Sequence, residues 1–83
     1  SNLCVFDETK RGMGVGTALM EAIQKAAVTS GARMIVLETQ SCNETAIAFY
    51  RKNGFSVIGF DLYAYSNTDP EQHEVRLEMG KPL

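Results

Sequence analysis

The sequence has few of the residues that build metal sites and disulfide frameworks. Its 83 residues include one histidine and two cysteines. His73 has no clustered ligand partners along the chain, so we expect no metal site. Cys4 and Cys42 lie far apart and form no Cys-x-x-Cys motif, which predicts reduced thiols in a reducing compartment. These scarcities favour a cytoplasmic protein that works without a metal.

The sequence also lacks a basic run and a long apolar run. Eight lysines and arginines against ten acidic residues give a formal net charge of −2. Nucleic acids and anionic membranes are therefore poor candidates for partners. No apolar stretch is long enough to span a bilayer, and no secretory signal opens the chain. The length allows one domain at most, and the composition is that of an ordinary globular domain.

Three glycines at alternate positions form the most informative stretch. Gly12, Gly14 and Gly16 follow the apolar run Leu3–Phe6 and precede a helical pattern that starts at Thr17. Alternate glycines remove side chains from one face of a loop, so that its backbone N–H groups can point inward. The N-terminus of the following helix adds partial positive charge. Such a loop binds phosphate.

The spacing of this loop excludes two common phosphate motifs. A P-loop needs a lysine followed by serine or threonine, but Thr17 and Ala18 follow the last glycine. A dinucleotide fingerprint needs a glycine where the chain has Thr17 or Leu19. The remaining pattern, Arg11-x-x-Gly14-x-Gly16, resembles the pyrophosphate-binding motif of the GCN5-related N-acetyltransferases, which bind acetyl-CoA. The alternative is a tight strand-to-helix turn with no ligand.

The periodicity of the apolar residues predicts six elements in the order β-α-β-α-β-β. They are a strand at Leu3–Phe6, a helix of about 14 residues from Thr17 to the cap at Gly31, a strand whose apolar run Met34–Leu37 continues into the polar Glu38–Gln40, a helix from the cap at Ser41 or Asn43 to about Asn53, and strands at Ser56–Tyr65 and His73–Met79. The first three elements predict a parallel βαβ unit, and the last two an antiparallel hairpin with a bulge at Gly59. The fold class is therefore α/β with a mixed sheet.

A second motif runs from Asn43 to Phe55. It reads Asn43-x-x-Ala46-x-x-x-Tyr50-x-x-x-Gly54-Phe55 and resembles a signature of the same family, at the family's distance from the glycine loop. Two motifs joined by a strand of the right length are more specific than either alone, and the resemblance covers nearly the whole chain. It implies acetyl-CoA as co-substrate. It also implies that residues 1–83 are a single partial domain, the C-terminal half of the acetyltransferase fold.

The resemblance implies two catalytic residues. Tyr50 matches the tyrosine that gives a proton to the leaving thiolate, and its alternative role is that of a core aromatic. Glu38 ends the central strand at the spacing of a general base that acts through water in some relatives. Its alternative role is that of a strand-end carboxylate paired with a cation. General acid–base catalysis of this kind contributes about 10²–10⁴-fold in rate.

The resemblance also implies the residues that bind the cofactor. Backbone N–H groups of the glycine loop would hold the pyrophosphate, with added charge from Arg11. Asn43 would contact the pantetheine arm or act only as a helix cap, and a backbone N–H near Val5 or Phe6 would stabilise the oxyanion. The full cofactor set is Phe6, Arg11, Gly12, Met13, Gly14, Val15, Gly16, Thr17, Asn43 and Tyr50.

The acceptor substrate is the least determined part. Leu37–Gln40, Asn43 and Ile58–Asp61 are similar to the streptothricin acetyltransferases, which implies a primary amine of a small molecule, or otherwise of a peptide. The last strand departs from that group, because Arg76–Met79 lacks the expected aromatic residues. A non-catalytic acyl-CoA-binding or interaction module is the alternative function. The open sheet edge at Leu3–Phe6 predicts pairing with a second chain, and so a homo-oligomer.

Overall fold

The structure, a computed structural model, describes residues 2–8, 15–61 and 75–83. Its elements are β1 (Leu3–Asp7), α1 (Thr17–Thr29), β2 (Met34–Gln40), α2 (Glu44–Lys52), β3 (Ser56–Asp61) and β4 (Arg76–Pro82). The predicted order β-α-β-α-β-β is confirmed. Of the predicted site residues, Arg11, Gly12, Met13 and Gly14 lie outside the described residues, as do His73 and the end of the predicted third strand at Tyr65.

The four strands form one mixed sheet in the order β1-β2-β4-β3. β1 and β2 are parallel, from Leu3 beside Met34 to Asp7 beside Glu38. β4 runs antiparallel to both of its neighbours. The parallel βαβ unit and the antiparallel pairing of the last two strands are therefore confirmed. The register shift between Val57 and Gly59 confirms the predicted bulge in β3.

Two strands extend further than their apolar patterns indicate. β2 continues through Glu38 to Gln40, and β4 continues past Met79 to Pro82. β2 pairs with β4 along its whole length, from Met34 beside Pro82 to Gln40 beside Arg76. The predicted continuation of the central strand through Glu38–Gln40 is confirmed. The predicted end of the last strand at Met79 is wrong, because pairing with the first residues of β2 keeps Gly80–Pro82 in the sheet.

Helix α1 buries one stripe and ends at a glycine. Met20, Ile23 and Ala27 are buried, whereas Ala26 is exposed. The N–H of Ser30 donates to Ala26 O, and Gly31 follows with a φ of 78°. The predicted left-handed cap at Gly31 is confirmed, since only a residue without Cβ adopts this φ without strain.

Helix α2 begins after the second of its two predicted caps. Asn43 is the N-cap, and its side-chain oxygen accepts from the N–H of Ala46 at 3.1 Å. Ser41 instead accepts from the N–H of Val75 at 3.0 Å, where β2 and β4 begin to pair. The predicted cap at Ser41 is therefore wrong. Its hydroxyl accepts a hydrogen bond from the residue that precedes β4, and the alternative cap, Asn43, is correct.

Both helices pack against the same face of the sheet. Residues of α1, α2, β2 and β4 form one buried cluster that includes Met20, Ile23, Ile35, Leu37, Ala46, Tyr50 and Met79. Because side chains alternate along a strand, Val36 and Glu38 point to the opposite face of β2. The sheet therefore has a face covered by the helices and an uncovered face within the described chain. Neither described helix is long and apolar enough to cross a membrane.

Gly80 lets β3 and β4 approach on the uncovered face. A Cβ at Gly80 would lie 2.9 Å from Cδ1 of Ile58 and 3.3 Å from Sδ of Met34. We expect Gly80→Ala to lower the free energy of unfolding by about 1 kcal/mol, the lower end of typical overpacking costs, because half-exposed Ile58 has room to shift. A urea midpoint for Gly80→Ala equal to that of the wild type would contradict this packing.

Candidate active site

The N-termini of the two helices face each other across a cleft. It has a volume of about 420 Å³, and it is lined by Val15, Gly16 and Thr17 on one side and by Asn43, Thr45, Ala46 and Phe49 on the other. Clefts of this size hold small organic ligands. The first N–H groups of a helix have no partner within the helix and carry partial positive charge, so the cleft suits a negatively charged ligand.

The described end of the glycine loop forms the α1 side of this cleft. Gly16 is the N-cap of α1 without a side-chain capping bond, and its C=O accepts from Met20 N at 2.8 Å. Val15 is buried, whereas Gly16 and Thr17 are exposed. An added Cβ at Gly16 would meet no protein atom within 4 Å, so its backbone borders open space. The predicted cofactor residues Val15, Gly16 and Thr17 are thus brought together at one wall.

Asn43 uses the two ends of its amide for different tasks. Its oxygen caps α2 by accepting from the N–H of Ala46, and its Nδ2 donates to Glu8 Oε1 at 3.1 Å. The sequence left open whether Asn43 is a cap or a ligand contact. Capping occupies only the oxygen of the amide, so its two N–H groups can donate to other acceptors, of which Glu8 is one. Cap and ligand contact are therefore compatible in one residue.

Tyr50 lies at the buried end of this cluster. Its side chain is fully buried, and its ring makes edge contacts with Phe49 and Phe55. Its hydroxyl donates to Glu8 Oε2. Tyr50 is thus a core aromatic, as its alternative role requires, yet its polar end belongs to a hydrogen-bonded cluster shared with Asn43. Because Asn43 lines the cleft, this cluster adjoins the space in which a ligand would lie.

Glu8 is the functional candidate that the sequence did not reveal. It lies just beyond the predicted strand Leu3–Phe6, yet it is only 5% exposed and accepts hydrogen bonds from Thr39, Asn43 and Tyr50. The Thr39 Oγ1 donates to Glu8 Oε1 at 2.5 Å. One signal was available, because Glu8 follows the carboxyl end of a parallel strand, where α/β sheets bind their ligands.

Glu38 lies on the opposite face of the sheet from Tyr50. Its Oε2 accepts from Arg76 Nη1 at 3.2 Å, and the same nitrogen lies 3.8 Å from Asp7 Oδ2. Asp7 and Glu78 are the register partners of Glu38 on the two neighbouring strands. Three carboxylates and one guanidinium therefore lie in a row on the uncovered face. The structure does not bring Glu38 and Tyr50 together on one face, and it shows Glu38 in the ion pair of its alternative role.

Phe6 belongs to β1 and packs against the buried cluster. Val5 and Phe6 pair with Val36 and Leu37 in the parallel ladder. Their predicted role as oxyanion donors stays a prediction. Among the described residues, no group of three or more histidines, cysteines or acidic residues is placed to hold a metal.

A parallel strand pair whose carboxyl ends lead to two helix N-termini around one cleft defines an α/β ligand-binding domain. Comparison with known proteins gives the family. Residues 3–55 match the acetyltransferase (GNAT) family, so this chain belongs to the GNAT acetyltransferases. The resemblance inferred from the two motifs is confirmed.

Individual relatives agree with this assignment. The chain is 36% identical to streptothricin acetyltransferase from Escherichia coli over 73 residues, which are 88% of this chain and 42% of that protein. The crystal structure of nourseothricin acetyltransferase matches with a TM-score of 0.79 at 32% identity, over 98% of this chain and 50% of that one.

A third relative was solved with a ligand. A putative streptothricin acetyltransferase from Bacillus anthracis str. Ames, in complex with acetyl coenzyme A, matches with a TM-score of 0.70 at 33% identity. The match covers 88% of this chain and 41% of that one. This chain therefore spans about half the length of the relatives that it matches or less.

Proposed function

We propose that the protein transfers an acetyl group from acetyl-CoA to a primary amine of a small molecule or peptide. The observation that carries this proposal is the cleft between two helix N-termini, with Asn43 on its wall and the Tyr50 hydroxyl in the adjoining cluster. Residues 1–83 would form one part of a longer acetyltransferase domain, because they span about half of the relatives or less.

Acetyl-CoA would lie along the cleft. Backbone N–H groups of the glycine loop, which ends at Gly16 and Thr17, would hold the pyrophosphate beside the α1 N-terminus. Arg11 would add charge to the same loop. Asn43 Nδ2 would donate to a carbonyl of the pantetheine arm, because its oxygen is already committed to capping α2. The thioester would then lie near Tyr50.

The chemistry needs an acid and a base on different sides of the thioester. The amine nitrogen attacks the carbonyl carbon, the carbon–sulfur bond breaks, and the nitrogen loses a proton. Glu38, on the uncovered face, would take that proton through water, and Tyr50, on the helix face, would protonate the departing thiolate. Glu38 lies on the uncovered face of the sheet and Tyr50 lies on α2 against the covered face, which matches an acceptor and a cofactor that approach from opposite sides.

The row of carboxylates suits a cationic acceptor. Asp7, Glu38 and Glu78 lie side by side on three strands, and Arg76 offsets part of their charge. A protonated amine would be attracted to this row. Streptothricin-like antibiotics are the first acceptors to test, because two of the matched proteins carry that name. The test is formation of acetylated amine and free CoA by the full-length natural protein, followed by mass spectrometry.

A non-catalytic acyl-CoA-binding module is the second candidate. Both proposed catalytic groups are engaged in the structure, Glu38 with Arg76 and Tyr50 with Glu8. This module would bind acetyl-CoA but produce no acetylated amine from any acceptor in the screen. Product above the uncatalysed background would exclude it.

Two further parts of the proposal concern location and assembly. Cys4 and Cys42 are both reduced cysteines in the structure, which supports a cytoplasmic enzyme. β1 lies at one edge of the described sheet, and Leu3 and Val5 on it are 49% and 58% exposed. These features support a homo-oligomer built through that edge.

We expect the 83-residue chain to self-associate as its concentration rises, because an edge strand can pair with a strand of another chain. Light scattering after size exclusion measures the mass. Val5→Lys should shift the chain toward monomer, since a charged side chain on an edge strand opposes pairing, whereas Glu21→Lys on the exposed surface of α1 should not. A monomeric wild-type chain at high concentration would contradict the expectation.

A further inference from the structure

A buried carboxylate occupies the polar groups that the proposed cofactor would use. Glu8 Oε2 accepts from the Tyr50 hydroxyl, and Glu8 Oε1 accepts from Asn43 Nδ2 at 3.1 Å. A third donor is Thr39 on the central strand β2, whose Oγ1 donates to Glu8 Oε1 at 2.5 Å. The two donors assigned to the cofactor are therefore both directed at this side chain of the protein itself.

These bonds compete with cofactor binding for a simple chemical reason. A tyrosine hydroxyl has one proton, so it donates either to Glu8 or to a leaving sulfur. A carboxylate is a stronger acceptor than the neutral carbonyl of an amide or thioester, because hydrogen bonds to a charged group are stronger. A carboxylate beside Tyr50 would also oppose the negative charge that the tyrosine gains when it gives up its proton.

We propose that Glu8 acts as an internal competitor of the cofactor. In the unliganded protein it holds Asn43 and Tyr50, and a bound acyl thioester with its amide arm displaces its carboxylate from both. This inference rests on the proposed function. In this role Glu8 weakens cofactor binding. Its carboxylate is displaced only by a ligand that offers acceptors to both Asn43 Nδ2 and the Tyr50 hydroxyl.

The competitor role and a purely structural role predict opposite results. Loss of the Glu8 carboxylate removes the acceptor of three buried donors, so the unliganded protein becomes less stable in either case. If Glu8 competes with the cofactor, its loss raises the fraction of protein ready to bind, and affinity for acetyl-CoA rises. If Glu8 only supports the site, its loss weakens binding as well.

The experiment measures acetyl-CoA affinity by calorimetry and thermal stability in the full-length natural protein. For Glu8→Ala we expect the dissociation constant to fall by about fivefold or more while the melting temperature drops. Glu8→Gln, which keeps one neutral acceptor oxygen, should change both values less and in the same directions. Glu21→Ala, an exposed glutamate of α1, is the control and should change neither.

A second measurement uses acetate as a probe of the vacated position. Millimolar sodium acetate should raise the melting temperature of Glu8→Ala and weaken its acetyl-CoA binding, and it should do neither in the wild type. Sodium chloride at the same ionic strength is the control. If Glu8→Ala does not fold, the Glu8→Gln affinity decides.

The outcomes separate this inference from the function on which it rests. An unchanged or higher dissociation constant in the Glu8 variants, with a wild type that binds, overturns the competitor role alone. Absence of acetyl-CoA binding by the wild type and both variants overturns the proposed function and this inference with it.

Discussion

Tyr50→Phe should lower the rate of acetyl transfer by about 10²–10⁴-fold, the usual contribution of a general acid. The change removes one oxygen and keeps the ring, which packs against Phe49 and Phe55 in the core. The dissociation constant of acetyl-CoA should stay within about threefold, because the lost proton transfer acts on the leaving thiolate in the transition state. Turnover at saturating acetyl-CoA and calorimetry measure the two quantities.

The same change should reduce stability, and that effect needs its own control. The buried Glu8 carboxylate loses the Tyr50 donor, at an expected cost of about 1–3 kcal/mol. Phe55→Leu is the matched control, since it perturbs the same buried core without touching a hydrogen bond. It should lower the melting temperature and leave turnover near the wild-type value. Equal turnover for Tyr50→Phe and wild type would show that Tyr50 has only a structural role.

Glu38→Gln should lower turnover by about 10²-fold or more, because glutamine accepts no proton from the attacking amine. The variant keeps an oxygen that can accept the hydrogen bond from Arg76, so the β2–β4 contact on the uncovered face is preserved. Initial rates with a saturating amine acceptor and acetyl-CoA measure the effect. The two variants together would show that acid and base act from opposite faces of one strand.

Glu78→Gln is the control for charge in this second test. Glu78 is the register partner of Glu38 on β4, so its change removes one negative charge from the same row. If the row only attracts a cationic amine, both variants should raise the KM for the acceptor to a similar degree and leave kcat unchanged. That result would contradict Glu38 as the base. A loss of kcat confined to Glu38→Gln is the result that we expect.

Local sequence patterns predicted most of the fold. The buried stripe of α1, the apolar run of β2 and the glycines that end both helices lie within single elements, and each predicted its element correctly. The end of β4 was misplaced because its last residues pair with the first residues of β2, a distant part of the chain. Ser41 failed as a cap for the same reason, since its hydroxyl accepts from Val75, 34 positions away.

The residues of the candidate site were likewise predicted where they belong to local motifs and missed where they depend on distant partners. Asn43, Tyr50 and Gly16 belong to motifs with fixed local spacing, and the structure gathers them around one cleft and its buried cluster. Glu8 had no local signal of burial. Its three donors are 31, 35 and 42 positions away, and they meet it only after the sheet and α2 have assembled. Long-range convergence of polar groups on one carboxylate is therefore the part that periodicity and motif spacing did not predict.

Titration of the full-length natural protein with acetyl-CoA by calorimetry tests the central claim most directly. We expect one site per chain with micromolar affinity, and Gly16→Ala should weaken it, because the added Cβ would project into the open space that Gly16 borders. Glu21→Ala, away from the cleft, should bind as the wild type does. No heat of binding from the wild type at high protein concentration would contradict the account, because the cleft between the two helix N-termini would then have no cofactor to hold.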